Sequence, residues 1–285
     1  VLSAKTVLIA VPSLALVRQT LDTWTREGVA NGVEMSWIAV CSDQDVSTRD
    51  DPSMKKFDLG IQVDTDPDVI TKFLVESKSA ITVLVTTYQS GHAVTAGVTK
   101  AGVTFDLGIF DEAHKTVGHK DKSFAHLLYD KNVSVRRRIF MTATERQFRG
   151  DSDDIVSMDD EEIYGDVFDE FSFKSALEQD PPILSDYKIV SICVTKSEIQ
   201  ELITKNAFVR SDGKEWSAEH DASTFASLIA LEKVVKEKDL KHVVSFHGRI
   251  DRAKEFQHLN SKVRESDSAV ADLSSFHVNG KLSTG

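Results

Sequence analysis

Asp111-Glu112-Ala113-His114 follows the apolar run Leu107-Gly108-Ile109-Phe110 without a break, so two carboxylates and an imidazole stand where a buried strand should end. Adjacent carboxylates in that position suit a hard divalent cation and the phosphates it carries, since oxygen donors can hold the ion while one of them orients a water. A nucleotide site of this kind also needs glycine N–H groups around the phosphates, then Lys and Ser or Thr. The nearest match, Gly97-Val98-Thr99-Lys100-Ala101-Gly102, has the glycine spacing but continues Val103-Thr104, and it precedes a strand where a phosphate loop follows one. It reads as a connecting turn. The Gly-Lys pairs at Gly213 and Gly280 lack the earlier glycine, so these residues contain no phosphate loop.

The elements that must position Asp111 and Glu112 alternate between two periodicities. Residues 7–11, 36–41, 81–87, 105–110 and 138–142 are short β-branched or apolar runs, several apolar on both faces, as strands covered on both sides are. Between them, residues 13–28 have a serine N-cap and end at Gly28, and residues 66–78 open with Asp66-Pro67, which predicts two helices. Strand-helix alternation gives an α/β fold with a parallel sheet, whose ligands bind beyond the carboxyl ends of the strands. A first domain is therefore expected over residues 1–150, an acidic connector over 151–186 and a second domain over 187–285. Residues 151–170 carry ten Asp or Glu and no Lys or Arg, which reads as a solvated linker. In the second domain, residues 188–195 and 243–246 are expected as strands, 247–251 as a turn, and 222–238 and 253 onward as helices.

With 285 residues, 41% hydrophobic and 28% charged, the chain can bury two cores of ordinary size. No apolar run approaches the roughly 20 residues that cross a bilayer, and the start lacks the basic flank and cleavage site of a signal peptide. Cys41 and Cys193 each lie in an apolar run and are expected as buried, reduced thiols, which implies a cytoplasmic setting. A net charge of −11 excludes a protein that coats nucleic acid by bulk attraction, so any such contact is local. His114, His119 and His126 have neither a cysteine partner nor an HExxH spacing to support zinc.

Asp111-Glu112-Ala113-His114 resembles motif II of the superfamily 2 helicases and translocases, the DEAH form of Walker B. Its neighbours follow the same order: residues 10–20 resemble motif Ia, 85–91 motif Ib, 139–148 motif III with its Thr-Ala-Thr core, and 243–256 motif IV. The plan is closest to bacterial helicase-like proteins of restriction systems, of type III or type ISP, although Glu145 replaces a usual proline. The resemblance implies two RecA-like domains, the second incomplete, binding ATP and Mg²⁺ and moving along DNA. Asp111 would hold the magnesium through water, Glu112 would orient or deprotonate the attacking water, and His114 would couple to Thr142, Ala143 and Thr144. Pro12, Ser13, Arg18, Gln19, Thr20, Thr86, Thr87 and Gln89 would meet the nucleic acid in the first domain, and Phe246, His247 and Arg249 in the second. Tyr88 is open between a base-stacking platform and a packed core aromatic.

The family also needs a phosphate loop before the first strand and motifs V and VI after the last residues seen here, so the chain is expected to be a piece of a larger protein and inactive alone. Nuclease or methyltransferase domains or subunits would be its partners, with no membrane. Three alternatives stay open: a non-catalytic helicase-like scaffold, an RNA helicase, and a metal-dependent hydrolase built on Asp111, Glu112 and His114.

Overall fold

The computed structural model describes residues 3–41, 60–119, 123–148, 154–206, 222–266 and 275. Contacts between Cα atoms divide the chain into two units, one running to Glu170 and the other starting at Phe171. In the first unit the order is β1 (Thr6–Val11), α1 (Leu14–Ala30), β2 (Met35–Val40), β3 (Gln62–Val63), α2 (Pro67–Glu76), β4 (Ile81–Thr87), α3 (Gly91–Ala101), β5 (Leu107–Phe110), β6 (Gly118–His119), β7 (Arg138–Phe140), β8 (Ile155–Val156) and α4 (Glu161–Tyr164). Six strands form one sheet in the order β3-β2-β4-β1-β5-β7, every pair parallel. This is the α/β parallel sheet that the strand-helix alternation predicts, and the RecA-like architecture that the resemblance implies.

Alternation along each strand divides the core into two layers. Leu8, Ala10, Ile38, Val40 and Leu84 pack with Ile70 of α2 and with Val94 and Val98 of α3. Val7, Ile9, Val11, Ala39, Val83 and Val85 pack with Leu14, Val17 and Leu21 of α1 on the other face. Covered on both sides, the strands need apolar residues at every position, which is why they read as unbroken runs. Register at the amino ends is held by Asp106, whose carboxylate accepts the N–H groups of Lys5 (2.9 Å) and Thr6 (3.1 Å) and pairs with Arg136 (2.8 Å).

Several expectations need correction. Residues 97–101 are the last turns of α3 instead of a connecting turn, and Gly102 caps the helix in the left-handed region at φ 64°. Gly97 is there because α2 crosses closely: a Cβ would lie 2.6 Å from the Ile70 side chain. The strand expected over 105–110 is β5 and starts at Leu107, with Phe105 making only an isolated bridge to Val135, and the one expected over 138–142 is β7 and stops at Phe140. The acidic stretch is also more than a linker. β8 pairs antiparallel with β6, and Val156, Ile163 and Tyr164 join the apolar core. The interspersed apolar residues anchor the segment while most of its described carboxylates are exposed.

The second unit has α5 (Phe173–Leu177), α6 (Lys196–Asn206), α7 (Ala222–Lys238) and α8 (Ile250–Ser266). Its core is Ile199, Phe225, Leu228, Ile229, Phe256, Leu259 and Val263. The strands expected at 188–195 and 243–246 do not form among the described residues. Ile189, Val244 and Phe246 are 84%, 77% and 92% exposed. An apolar run becomes a strand only with a hydrogen-bonded neighbour, and neither run has one among the described residues. The last helix begins at Ile250, three residues before the expected start. Cys41 is buried as expected, but Cys193 is exposed, because it lies in the unpaired 188–195 run.

Candidate nucleotide and nucleic-acid site

The site grows from the carboxyl end of β5. Asp111 N–H donates to Ala10 O (2.9 Å), continuing the β1 ladder one residue past the strand, and the buried Tyr88 hydroxyl donates to Asp111 O (2.8 Å). Burial, then the negative charge of Asp111, pushes the Tyr88 phenol well above its usual value and keeps it a donor. The two bonds fix the backbone from which the carboxylates leave. Asp111 Oδ1 then accepts the N–H of Glu112 (2.9 Å), while Oδ2 has no protein partner among the described residues.

Glu112 has φ 50° and ψ 43°, the left-handed region, which costs a side-chain-bearing residue roughly 1–2 kcal/mol. The neighbours hold it there. Ala113 N–H donates to Met141 O (2.9 Å), Lys115 N–H to Glu112 O (2.9 Å), and the Thr116 hydroxyl to Ala113 O (2.7 Å). Residues Ala113–Thr116 thereby form one 3₁₀ turn.

His114 Nδ1 lies 3.1 Å from Glu112 Oε2 and 3.0 Å from Thr142 Oγ1, with its side chain only 14% exposed. The Thr142 hydroxyl spends its hydrogen on Thr144 O (3.0 Å) while accepting Thr144 N–H (3.1 Å). Both neighbours of Nδ1 are therefore acceptors, so Nδ1 carries the proton and shares it between the Glu112 carboxylate and Thr142. Glu112, His114, Thr142 and Thr144 thus form one hydrogen-bonded set, with Ala143 exposed between the two threonines. The donor set suits a hard cation: a half-buried carboxylate with an open oxygen, Asp111, beside a second, Glu112. That matches magnesium better than a soft transition metal, and no cluster of three metal-binding side chains occurs among the described residues.

The nucleic-acid candidates divide. Ser13 caps α1, accepting Leu16 N–H at 3.4 Å, and Pro12 before it is buried. Gln19 is exposed, Thr20 is half-buried, and Arg18 is paired with Asp22 (3.6 Å). Thr86 and Thr87 are fully buried, and the Thr86 hydroxyl donates to Val40 O (2.8 Å), so as placed they brace the sheet and do not line its surface. Tyr88 is likewise a core aromatic, stacked on Phe124 at 5.5 Å. Both polar atoms of the Gln89 amide are buried and have no partner among the described residues. In the second unit, Phe246 is exposed, His247 leans on Phe256 (5.0 Å) and Arg249 pairs with Asp251 (3.0 Å).

Two functional features escaped the sequence reading: the Tyr88 hydroxyl on Asp111 and the Thr116-Tyr164 contact behind the turn. The apolar pair Ile163-Tyr164 inside an acidic tract was the available signal for the second.

A parallel RecA-like sheet whose penultimate strand delivers Asp-Glu-Ala-His to a Thr-Ala-Thr segment is the arrangement of the superfamily 2 helicase class. The family described as "Type III restriction enzyme, res subunit" matches residues 2–147, more than half of the chain, and the chain belongs to that family. A probable helicase of African swine fever virus (isolate Pig/Kenya/KEN-50/1950) is 29% identical over 191 residues, which is 67% of this chain and 19% of the viral protein. The Badajoz 1971 Vero-adapted strain of the virus has a counterpart 28% identical over 193 residues. Among solved structures, a nuclease-deletion mutant of the type ISP restriction-modification enzyme LlaGI, in complex with a DNA substrate mimic, is 25% identical. Its TM-score is 0.52, over 79% of this chain and 17% of that one. The ATP-dependent type ISP enzyme LlaBIII, bound to DNA, has a TM-score of 0.67 over 98% of this chain and 19% of its own, at 23% identity, and shares the fold. This chain therefore spans about a fifth of the length of these relatives.

Proposed function

We propose that this chain is part of an ATP-driven DNA translocase or helicase of a restriction-type system. The observation that carries the reading is the Nδ1–H of His114 shared between Glu112 and Thr142 at 3.1 and 3.0 Å. It joins the group suited to activating water to the segment that would report the nucleotide's state.

In this mechanism Asp111, with Glu112 beside it, would hold magnesium, which would neutralise charge on the phosphate oxygens. The Glu112 carboxylate orients the attacking water and accepts its proton. His114 restrains that carboxylate, and a shift of Glu112 on hydrolysis alters the bond to Thr142. Ser13 at the capped start of α1, a natural anion site, and Gln19 and Thr20 in the next turn meet the phosphates of the DNA strand. DNA is favoured over RNA because the similar restriction enzymes of known structure are bound to DNA or its mimic. Nuclease or methyltransferase modules are the partners this reading implies.

These 285 residues hold no glycine-rich Lys-Ser or Lys-Thr loop. By themselves they are expected to bind ATP weakly and to leave it unhydrolysed. The same observation favours a second reading, a helicase-like scaffold that binds a partner without turnover. ATP hydrolysis by the longer protein containing this chain, measured with and without duplex DNA, separates the two. DNA-stimulated turnover supports the motor; no turnover under either condition supports the scaffold.

A further inference from the structure

After the Asp-Glu-Ala-His turn, the chain returns and touches it again. The Tyr164 hydroxyl lies 2.6 Å from Thr116 Oγ1, and the Thr116 hydroxyl donates to Ala113 O at 2.7 Å. A threonine hydroxyl has one hydrogen, so Tyr164 is the donor in the first bond. Burial pushes its phenol up to about 12, which keeps that proton in place across the physiological range. The Tyr164 ring packs edge-on against Phe140 at 4.9 Å, and Phe140 stacks on Phe110, the residue before Asp111, at 5.0 Å. A second tie lies beside the first, where β8 pairs with β6 directly after the turn.

We infer that Tyr164 is a positioning residue for Glu112 and His114, and that it couples their turn to the chain leading into the second unit. Residues 165–170 run from Tyr164 to the unit boundary at Phe171. Tension or rotation arriving along them acts on Thr116 through a hydrogen bond and on Phe110 through the rings. Phe110 and Thr116 flank the Asp-Glu-Ala-His segment in the chain, so both of its ends are reached. The left-handed Glu112 is the point that responds, because a strained backbone has another minimum to relax into. The inference rests on the motor reading, with Glu112 as the group that activates water.

Two measurements test it. In this chain, Tyr164→Phe should speed amide hydrogen exchange at Ala113 and Lys115 about tenfold, the size of one hydrogen bond lost, while β1 and β4 keep their protection. In the longer protein, Tyr164→Phe and Thr116→Val should each lower DNA-stimulated kcat about tenfold at unchanged KM for ATP, and the double variant should be no worse than either alone. A purely structural role would lower folding stability and leave the kcat of the folded enzyme alone. Unchanged kcat in Tyr164→Phe, with turnover abolished by Glu112→Gln, overturns the coupling and leaves the motor reading intact. Persisting turnover in Glu112→Gln removes Glu112 from the mechanism, and the exchange measurement then decides alone whether Tyr164 holds the turn.

Discussion

The two units treat similar apolar sequences differently. Residues 81–87 in the first unit and 243–246 in the second are both short runs rich in valine, yet Val83 and Val85 are fully buried in a ladder between β1 and β2, whereas Val244 is 77% exposed. The first run has parallel partners on both edges and helices on both faces; the second has neither among the described residues. Chemistry follows the same division. A carboxylate can be aimed to within hydrogen-bond distance of a neighbour only from a backbone that is fixed on several sides, as Asp111 and Glu112 are. Phe246, His247 and Arg249 leave a segment with no such support.

The comparison can be pressed hardest through the cores. Phe225→Ala should cost about 3–5 kcal/mol within the second unit, and hydrogen exchange should show the loss in α6, α7 and α8 while β1 and β4 keep their protection. Leu84→Ala, in the middle of β4, should cost about 2–5 kcal/mol and strip protection from the sheet, read by urea denaturation and exchange. A substitution that unfolded both units together would contradict their having separate cores.

Acid provides a finer comparison. In the first unit, the N–H groups of Lys5 and Thr6, then Arg136, hold the Asp106 carboxyl below its ordinary value. In the second, Lys233, then the N–H and hydroxyl of Thr195, hold Glu198 down to about 2. Both pKa values are depressed by folding, so the stability they contribute is complete above the unfolded carboxylate range, near pH 4, and is lost as pH falls through the folded values. Thermal midpoints should therefore drop as pH is lowered below about 4. Asp106→Asn should be less stable at neutral pH and less sensitive to acid. The smallest effect is expected at Phe246→Ala, within about 0.5 kcal/mol, because its side chain is already in water.

What could be read in advance follows from these contrasts. Strands β1 and β4, helices α1 and α2 and the Asp-Glu-Ala-His box were legible because each rule involved is local: apolar on both faces, Ser13 or Asp66 at a helix start, carboxylates after a strand. The unpaired runs at 188–195 and 243–246 were misread because partners, not propensity, decide a strand. Gly97 looked like part of a turn because its reason for being glycine is Ile70, on another helix. Thr86 and Thr87 looked available because burial is invisible in a motif. Tyr164 was hidden for the same reason as Gly97: its meaning lies in Thr116, 48 residues away in the chain.

The central claim is that Glu112, restrained by His114, activates water for ATP hydrolysis. A Glu112→Gln substitution in the longer protein, followed by single-turnover kinetics with saturating DNA, tests it most directly. The account predicts unchanged ATP affinity and hydrolysis slowed by about 10²–10⁴-fold, the range expected for loss of a general base. Hydrolysis at the wild-type rate would contradict it.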